Sequence, residues 1–290
     1  MPNRRELGYV SAGSTNTVYV STGTYGRATG GIGSPTAVTI SGVNYEYLTF
    51  NSTGTLTVTT AGWFDYLAIG GGGGAIGYPA DAGGGGGAGQ VACGSIYLDA
   101  NQTITIGGGS SFVQYTGNFH QANNTTIAAT SPFEINALGN QVSNKPSDYG
   151  IYGYVGGGAG GAGGSTPSAI TESTALGYRG GTSSTGNNGG GGGGQSARGG
   201  NGVGTTGGTG GAGFDISTFI GGSSSYKAQG GGGGGSATGG TAATGGVAGT
   251  TNTTPNNGGA NTGQGAGGGY GTITTGNGGS GVCYIRWSVA

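Results

Sequence analysis

The sequence predicts an all-β protein: an antiparallel β-sandwich or jelly-roll-like domain that carries a large glycine-rich insertion and essentially no α-helix. Three observations predict this class. Short strand-like segments recur about every ten residues in the first hundred positions. Glycine supplies 81 of the 290 residues, in blocks and with only 7 Pro, which excludes collagen. The chain then closes with one more strand-like segment, VCYIRWSV.

The predicted strands are marked by alternating or continuous apolar residues. They are VTI (38–40), YEYLTF (45–50), TLTVT (55–59), WFDYLAI (63–69), VACGSIYL (91–98) and TITI (103–106). The fourth is the most continuously apolar, which predicts a strand in the interior of a sheet. NSTG (51–54) predicts a hairpin-type turn, and DANQ (99–102) predicts a second turn.

Four segments follow from this pattern. Residues 1–61 are an N-terminal β-rich segment that serves for attachment or as the first sandwich strands, and residues 62–155 hold sandwich strands with the first glycine blocks. Within the latter, 107–155 is predicted as loop with one or two strands, around FVQY (112–115), FEINAL (133–138) and DYGIYGYV (148–155). Residues 156–281 form the glycine-rich region. Residues 282–290 are the closing strand, expected beside the strand at 63–69.

The glycine-rich region raises an energetic question, because ordering each residue costs about 1–2 kcal/mol and glycine costs the most. Few apolar side chains are present there to offset that cost. One solution is a disordered linker. The other is a close-packed bundle of extended polyglycine helices with three residues per turn, whose backbones hydrogen-bond to one another. Short runs of similar length joined by turns, such as 189–194 and 230–235, favour the bundle.

The sequence offers no catalytic machinery, so we expect no enzyme activity, no cofactor and no metal site. His120 is the only histidine, and the phosphate-binding GxxxxGK[ST] pattern is absent. The many GxGxxG matches are the chance product of a glycine-rich composition. A glycan-cleaving enzyme would need two paired carboxylates. The nine acids are scattered and leave a depolymerase as a third alternative, while Asp65 and Asp81 are interpreted as structural.

Charge and hydropathy exclude two further classes. The net charge is −1, and no basic stripe for nucleic acid is present. No segment reaches transmembrane length, and the N-terminus lacks the apolar core of a signal peptide. We therefore expect no membrane insertion, and we expect synthesis in the cytoplasm. The two cysteines, Cys93 and Cys283, are interpreted as buried free thiols, with a disulfide as the alternative.

Four stretches resemble the glycine-rich tail and fibre proteins of bacteriophages. They are YLAIGGGGGAIG (66–77), GGGGGAGQVACGSIYL (83–98), TITIGGGSSF (103–112) and GNGGSGVCYIRW (276–287). The resemblance covers roughly residues 60–290, although 110–155 lack glycine blocks and the first 60 residues do not match. It implies a β-sandwich carrying an ordered polyglycine-helix bundle, in a virion protein exposed at the tail or fibre.

The function that the resemblance implies is that of a virion structural protein, foremost a tail-fibre or tail-tip adhesin that contacts the host surface. The alternative is a purely architectural capsid or tail decoration protein with no receptor. The implied partners are other virion proteins, further copies of the chain in a homotrimer or another homo-oligomer, and a host surface glycan or outer-membrane protein.

Three loops that interrupt the glycine runs are candidates for host contact: AIGYPADA (75–82), STPSAITESTALGYR (165–179) and FDISTFIGGSSSYK (214–227). In a bundle, such loops lie at the exposed ends, where polar and aromatic side chains suit recognition. The candidate contact residues are Tyr78, Tyr178, Phe214, Phe219 and Tyr226. The alternative is that these aromatic side chains pack the bases of the loops.

Overall fold

A computed structural model describes residues 24–76, 81–111, 122–128, 134–137, 177–251, 254–271 and 275–289. Within them the chain forms fourteen strands and one short helix, α1 (Ser217–Ile220). The strands are β1 (Arg27–Thr29), β2 (Thr36–Ile40), β3 (Val43–Phe50), β4 (Gly54–Thr60), β5 (Gly62–Ile69), β6 (Ala75–Ile76), β7 (Val91–Leu98), β8 (Gln102–Thr105), β9 (Thr125–Ala128), β10 (Glu134–Ala137), β11 (Phe214–Asp215), β12 (Tyr226–Lys227), β13 (Thr275–Gly276) and β14 (Val282–Ser288). The predicted all-β class is confirmed.

Ten of these strands form two antiparallel five-stranded sheets. The first sheet has the order β2-β3-β14-β5-β7, and the second has the order β1-β4-β8-β9-β10. Side chains from both sheets share one apolar core, in which Phe64 and Trp287 meet edge to face with ring centroids 5.8 Å apart. Apolar residues that alternate along each strand therefore meet between two sheets, as in a sandwich.

The six strands predicted before residue 107 are all present, but the turn at 51–54 is not a hairpin. It joins β3 to β4, which belong to different sheets. The reason is that Phe50 and Leu56 are both buried in the core from opposite sides. A hairpin would place both strands in one sheet, whereas crossing the sandwich buries both apolar faces. In the region 107–155, β10 coincides with the predicted FEINAL strand, β9 was not predicted, and FVQY and DYGIYGYV lie outside the described residues.

The closing strand β14 is the centre of the first sheet. It pairs with β3 on one side and with β5 on the other, which confirms the expected position beside 63–69. Its first six residues are buried. Because β14 separates β2-β3 from β5-β7, the last strand of the chain holds together segments that are more than two hundred positions away in sequence.

A buried ion pair fixes α1 against the outer face of the first sheet. Arg286 Nη2 donates to Asp65 Oδ2 at 3.0 Å, and Ser95 Oγ donates to Asp65 Oδ1 at 2.6 Å. Arg286 Nη1 donates to the carbonyl oxygen of Phe219 in α1 at 2.7 Å. The guanidinium lies between two rings, 4.3 Å from the centroid of Tyr45 and 4.2 Å from that of Phe219. These contacts offset the cost of burying the charges.

Both cysteines are free, as the sequence predicts. Cys283 is fully buried on β14, and Cys93 is half-buried on β7. Burial raises the pKa of each thiol, so both stay protonated and unreactive at neutral pH.

We expect deletion of residues 282–290 to abolish folding, because the first sheet would lose its central strand and split into two separate pairs. Thermal unfolding followed by near-UV circular dichroism tests this. The deletion variant should show no cooperative transition, while deletion of Ala290 alone should leave the melting temperature unchanged. A cooperative melt in the longer deletion would show that β14 is peripheral.

Candidate functional site

The glycine-rich half of the chain contains a second core, which is built from backbone instead of side chains. Several of its runs are buried along their length: 70–74, 83–89, 189–195, 228–235 and 264–269. Backbone amides in each run donate to carbonyl oxygens in other runs. A buried amide without a partner costs free energy comparable to a lost hydrogen bond, so these bonds are the condition for burying the runs at all.

The hydrogen bonds between neighbouring runs recur every third residue. The runs 189–195 and 228–235 are antiparallel, and three amides of the first donate to carbonyl oxygens of the second. The bonds are Gly189 to Gly234, Gly192 to Gly231 and Gln195 to Ala228, at 2.8, 2.7 and 3.0 Å. Another neighbour runs in the same direction, since Gly208 donates to Gly189 and Gly211 to Gly192, both at 2.8 Å. Each run therefore presents the same side to a given neighbour once every three residues.

The run 189–194 has no side on which a side chain would fit. A Cβ atom placed on Gly191 would clash with the carbonyl oxygen of Thr209, and one on Gly193 would clash with that of Tyr178. On Gly192 it would meet the carbonyl oxygen of Gly86. Three consecutive positions thus point at three different runs. This close approach, and not a special backbone conformation, is what requires glycine here, since none of the glycines with positive φ lies in this run.

The runs of an outer layer differ from the inner runs because they carry a side chain at every third position. It consists of 178–182, 197–202, 206–212, 238–244 and 246–250, joined side by side by backbone hydrogen bonds. Every third residue carries a side chain that is exposed or half-buried: Arg179, Thr182, Arg198, Asn201, Thr206, Thr209, Ala212, Thr238, Thr241, Thr244, Val247 and Thr250. Most positions between them are glycine, and each of these faces either an inner run or the neighbouring outer run. The third side of each outer run faces away from the bundle and admits a side chain.

Buried glutamines lie where the inner runs meet the sandwich. Gln90, Gln195, Gln229 and Gln264 each flank a glycine run. Gln195 Oε1 accepts from the amide of Val91 in β7 at 2.9 Å, and Gln264 Nε2 donates to Gln229 Oε1 at 3.1 Å. Their amides satisfy polar groups at the run ends, where the backbone lattice gives way to apolar side chains.

The opposite ends of the runs carry three exposed loops, 183–188, 203–206 and 236–238, which we call the distal loops. Buried Asn188 ties the first two together: its Nδ2 donates to the carbonyl oxygen of Gly204 and to Thr185 Oγ1, each at 2.8 Å, and its Oδ1 accepts from the amide of Ser184 at 2.9 Å. The second and third loops are joined by a bridge between Thr206 and Thr238. This places small polar side chains on one rigid surface.

The structure does not bring the predicted contact residues together. Phe219 is buried, and Phe214 packs against the same apolar cluster on the first sheet, so both pack the base of their loop as in the alternative interpretation. Phe219 is 8% exposed. Tyr178 is half-buried at the sandwich end of its run, where its amide donates to Gly194. Tyr226 is 37% exposed. Tyr78 lies outside the described residues.

The charged residues of the loop 214–227 are held by local hydrogen bonds. Burial acts to raise the pKa of Asp215, but hydrogen bonds from Ser217, Ser225 and Ser224 outweigh it and hold the pKa below its usual value. Burial lowers the pKa of Lys227, whose Nζ donates to the carbonyl oxygen of Asn261 at 2.8 Å. These contacts close the loop and join it to the glycine runs.

The described part of the chain shows no group of three or more His, Cys, Asp or Glu side chains that could hold a metal ion. In the same residues, no helix is long and apolar enough to span a membrane.

Comparison with known families identifies the chain. A family model described as "Glycine-rich domain" matches residues 49–288. The chain belongs to this family. The match ends at the last residue of β14, so the glycine-rich domain includes the closing strand as well as the runs. No curated protein matches the chain. The predicted membership of a glycine-rich family is confirmed, while the link to phage tails stays a prediction.

Sequence reasoning missed the outer layer, the glutamines and Asn188, although each leaves a signal. Outer runs read as one side chain followed by two glycines, as in RGGT (179–182), RGGN (198–201) and TGGT (206–209 and 238–241). Uninterrupted glycine runs are inner ones. A Gln or Asn next to an uninterrupted run, such as Asn188 and Gln195, marks where that run ends.

We expect Gly192→Ala to destabilise the domain by about 2 kcal/mol or more, because overpacking costs about 1–3 kcal/mol and the methyl group would also part backbone hydrogen bonds. Thr241→Ala is the matched control, since it leaves the same residue on an outward position and should change stability by less than about 0.5 kcal/mol. Urea unfolding of both variants measures the difference. Equal midpoints would contradict close packing of the runs.

Proposed function

We propose that this glycine-rich domain is a bacteriophage virion structural protein, a tail-fibre or tail-tip adhesin that contacts the host through its distal loops. The observation that supports it is the collection of exposed polar loops at the end of the glycine runs opposite the sandwich. Residues on loops that a rigid scaffold positions are typical of recognition surfaces. The resemblance of the glycine-block motifs to phage tail and fibre proteins supports the same function.

We further propose that the glycine runs are polyglycine helices with three residues per turn. The three-residue repeat of the hydrogen bonds supports this geometry, because only a period of three returns each run to the same neighbour. A run of six residues then rises about 19 Å. The bundle is a spacer whose stiffness comes from the backbone, so its loops can differ in sequence without disturbing the interior.

The sandwich then serves as the attachment end of the adhesin. It lies beyond the glutamines, at the opposite end of the runs from the distal loops. Other virion proteins and further copies of the chain are the proposed partners there. The two ends thus divide assembly from host contact, which lets receptor specificity change in the loops alone.

The test is adsorption of the phage to its host in the presence of purified protein. Wild-type protein should compete with virions for the cell surface, and Val203→Asp in a distal loop should weaken competition by about tenfold, the scale of one good contact residue. Val203 is 70% exposed, so the change should leave folding intact. The matched control is Ile32→Asp, because Ile32 is also an exposed apolar residue, at 56%, but lies in the sandwich region.

Two results would count against the adhesin. Wild-type protein that ignores host cells but attaches to virions stripped of it would favour the decoration protein. Equal competition by Val203→Asp and Ile32→Asp would remove the distal loops from the contact.

A further inference from the structure

We propose that the outward face of the outer layer binds an acidic polysaccharide laid along the glycine runs, as a second contact site that adjoins the distal loops at Thr206 and Thr238. The inference rests on the proposed function, because it names a class of host-surface ligand for a protein of the virion. The feature that carries it is the regular placement of outward side chains on the flank of the bundle, a surface that the adhesin proposal leaves without a role.

The outward face of the outer layer is polar and regular. Thr206, Thr209, Thr238 and Thr241 are all exposed, and they come from two runs that lie in the same direction, since Gly207 donates to Thr238 and Gly210 to Thr241. Within a run, these hydroxyls are spaced by three residues, about 9 Å in a polyglycine helix. Thr244 continues the second row.

The charge of the face favours an anionic ligand. Its only charged side chains are Arg179 and Arg198, which lie on adjacent runs because Gly199 donates to the carbonyl oxygen of Arg179. Arg198 is exposed, and two further charged groups of the described residues 177–251, Asp215 and Lys227, belong to the loop on the first sheet. Guanidinium groups bind carboxylates with paired hydrogen bonds.

A repeating ligand suits a repeating surface. Each threonine hydroxyl both donates and accepts a hydrogen bond, as do the hydroxyls of a sugar. One such contact is weak, but a polymer that meets several in a row gains avidity without any single strong site. Duplex DNA, the other common anionic polymer, is bound through many cations that release counterions, and two arginines supply too few.

The test uses the full chain with alginate as a polyuronate probe, dextran as a neutral polysaccharide and duplex DNA as a competing polyanion. Wild-type protein should bind alginate at low salt, bind less with rising salt, and prefer alginate to both others. Thr209→Glu with Thr241→Glu should weaken alginate binding by about tenfold or more through like-charge repulsion. Thr209→Gln with Thr241→Gln keeps the size and omits the charge, so its loss should be several times smaller.

Ser223→Glu with Thr36→Glu, two exposed changes outside the outer layer, adds the same two negative charges and should bind like wild type. The inference is overturned if wild-type protein fails to bind alginate, if DNA binds more tightly, or if the Glu pair binds alginate as wild type does. Host-cell competition by wild-type protein separates the two proposals. Wild-type competition for host cells without any alginate binding overturns this inference alone, whereas wild-type alginate binding without any attachment to cells overturns the adhesin.

Discussion

Backbone hydrogen bonding between glycine runs is the constraint on which the rest of this domain depends. Inner runs such as 189–194 are buried without side chains, so the usual apolar stabilisation is small and the amides must find partners in other runs. Those partners are reached only if the backbones approach closely, and at positions such as Gly191, Gly192 and Gly193 the close approach leaves no room for a Cβ. Glycine content, run length and the three-residue repeat are therefore consequences of one requirement.

The sandwich and the glycine runs are stabilised by different forces, and their junction is specialised. Between the sheets, apolar side chains such as Phe64 and Trp287 are buried, and the hydrophobic effect dominates. In the glycine runs, hydrogen bonds between backbone amides and carbonyl oxygens stabilise the structure instead. Gln195 and its fellow glutamines lie where the two meet, because a glutamine offers an apolar stem and a backbone-like amide. Arg286 makes a further contact between the two parts, because it pairs with Asp65 in the sandwich and also donates to the carbonyl oxygen of Phe219 in the loop 214–227.

Much of the sandwich could be predicted from sequence because alternation of apolar residues is local, as in 45–50 and 63–69. The sheet that each strand joins could not, since Phe50 and Leu56 become core neighbours only through a crossing that the turn NSTG does not encode. The distal loops escaped prediction for a similar reason. Aromatic content drew attention instead to the loop 214–227 and to Phe219, which is buried. The residue that organises the distal loops is Asn188, through its contact with Gly204, 16 positions away in sequence.

Native-state hydrogen exchange of the glycine amides tests the backbone lattice most directly. If the runs are held by mutual hydrogen bonds, amides within 189–194 and 230–235 exchange as slowly as those of β14, and they lose protection in the same cooperative event. Exchange at the rate of an unstructured peptide in both runs, while β14 remains protected, would show that the glycine-rich half is not a core.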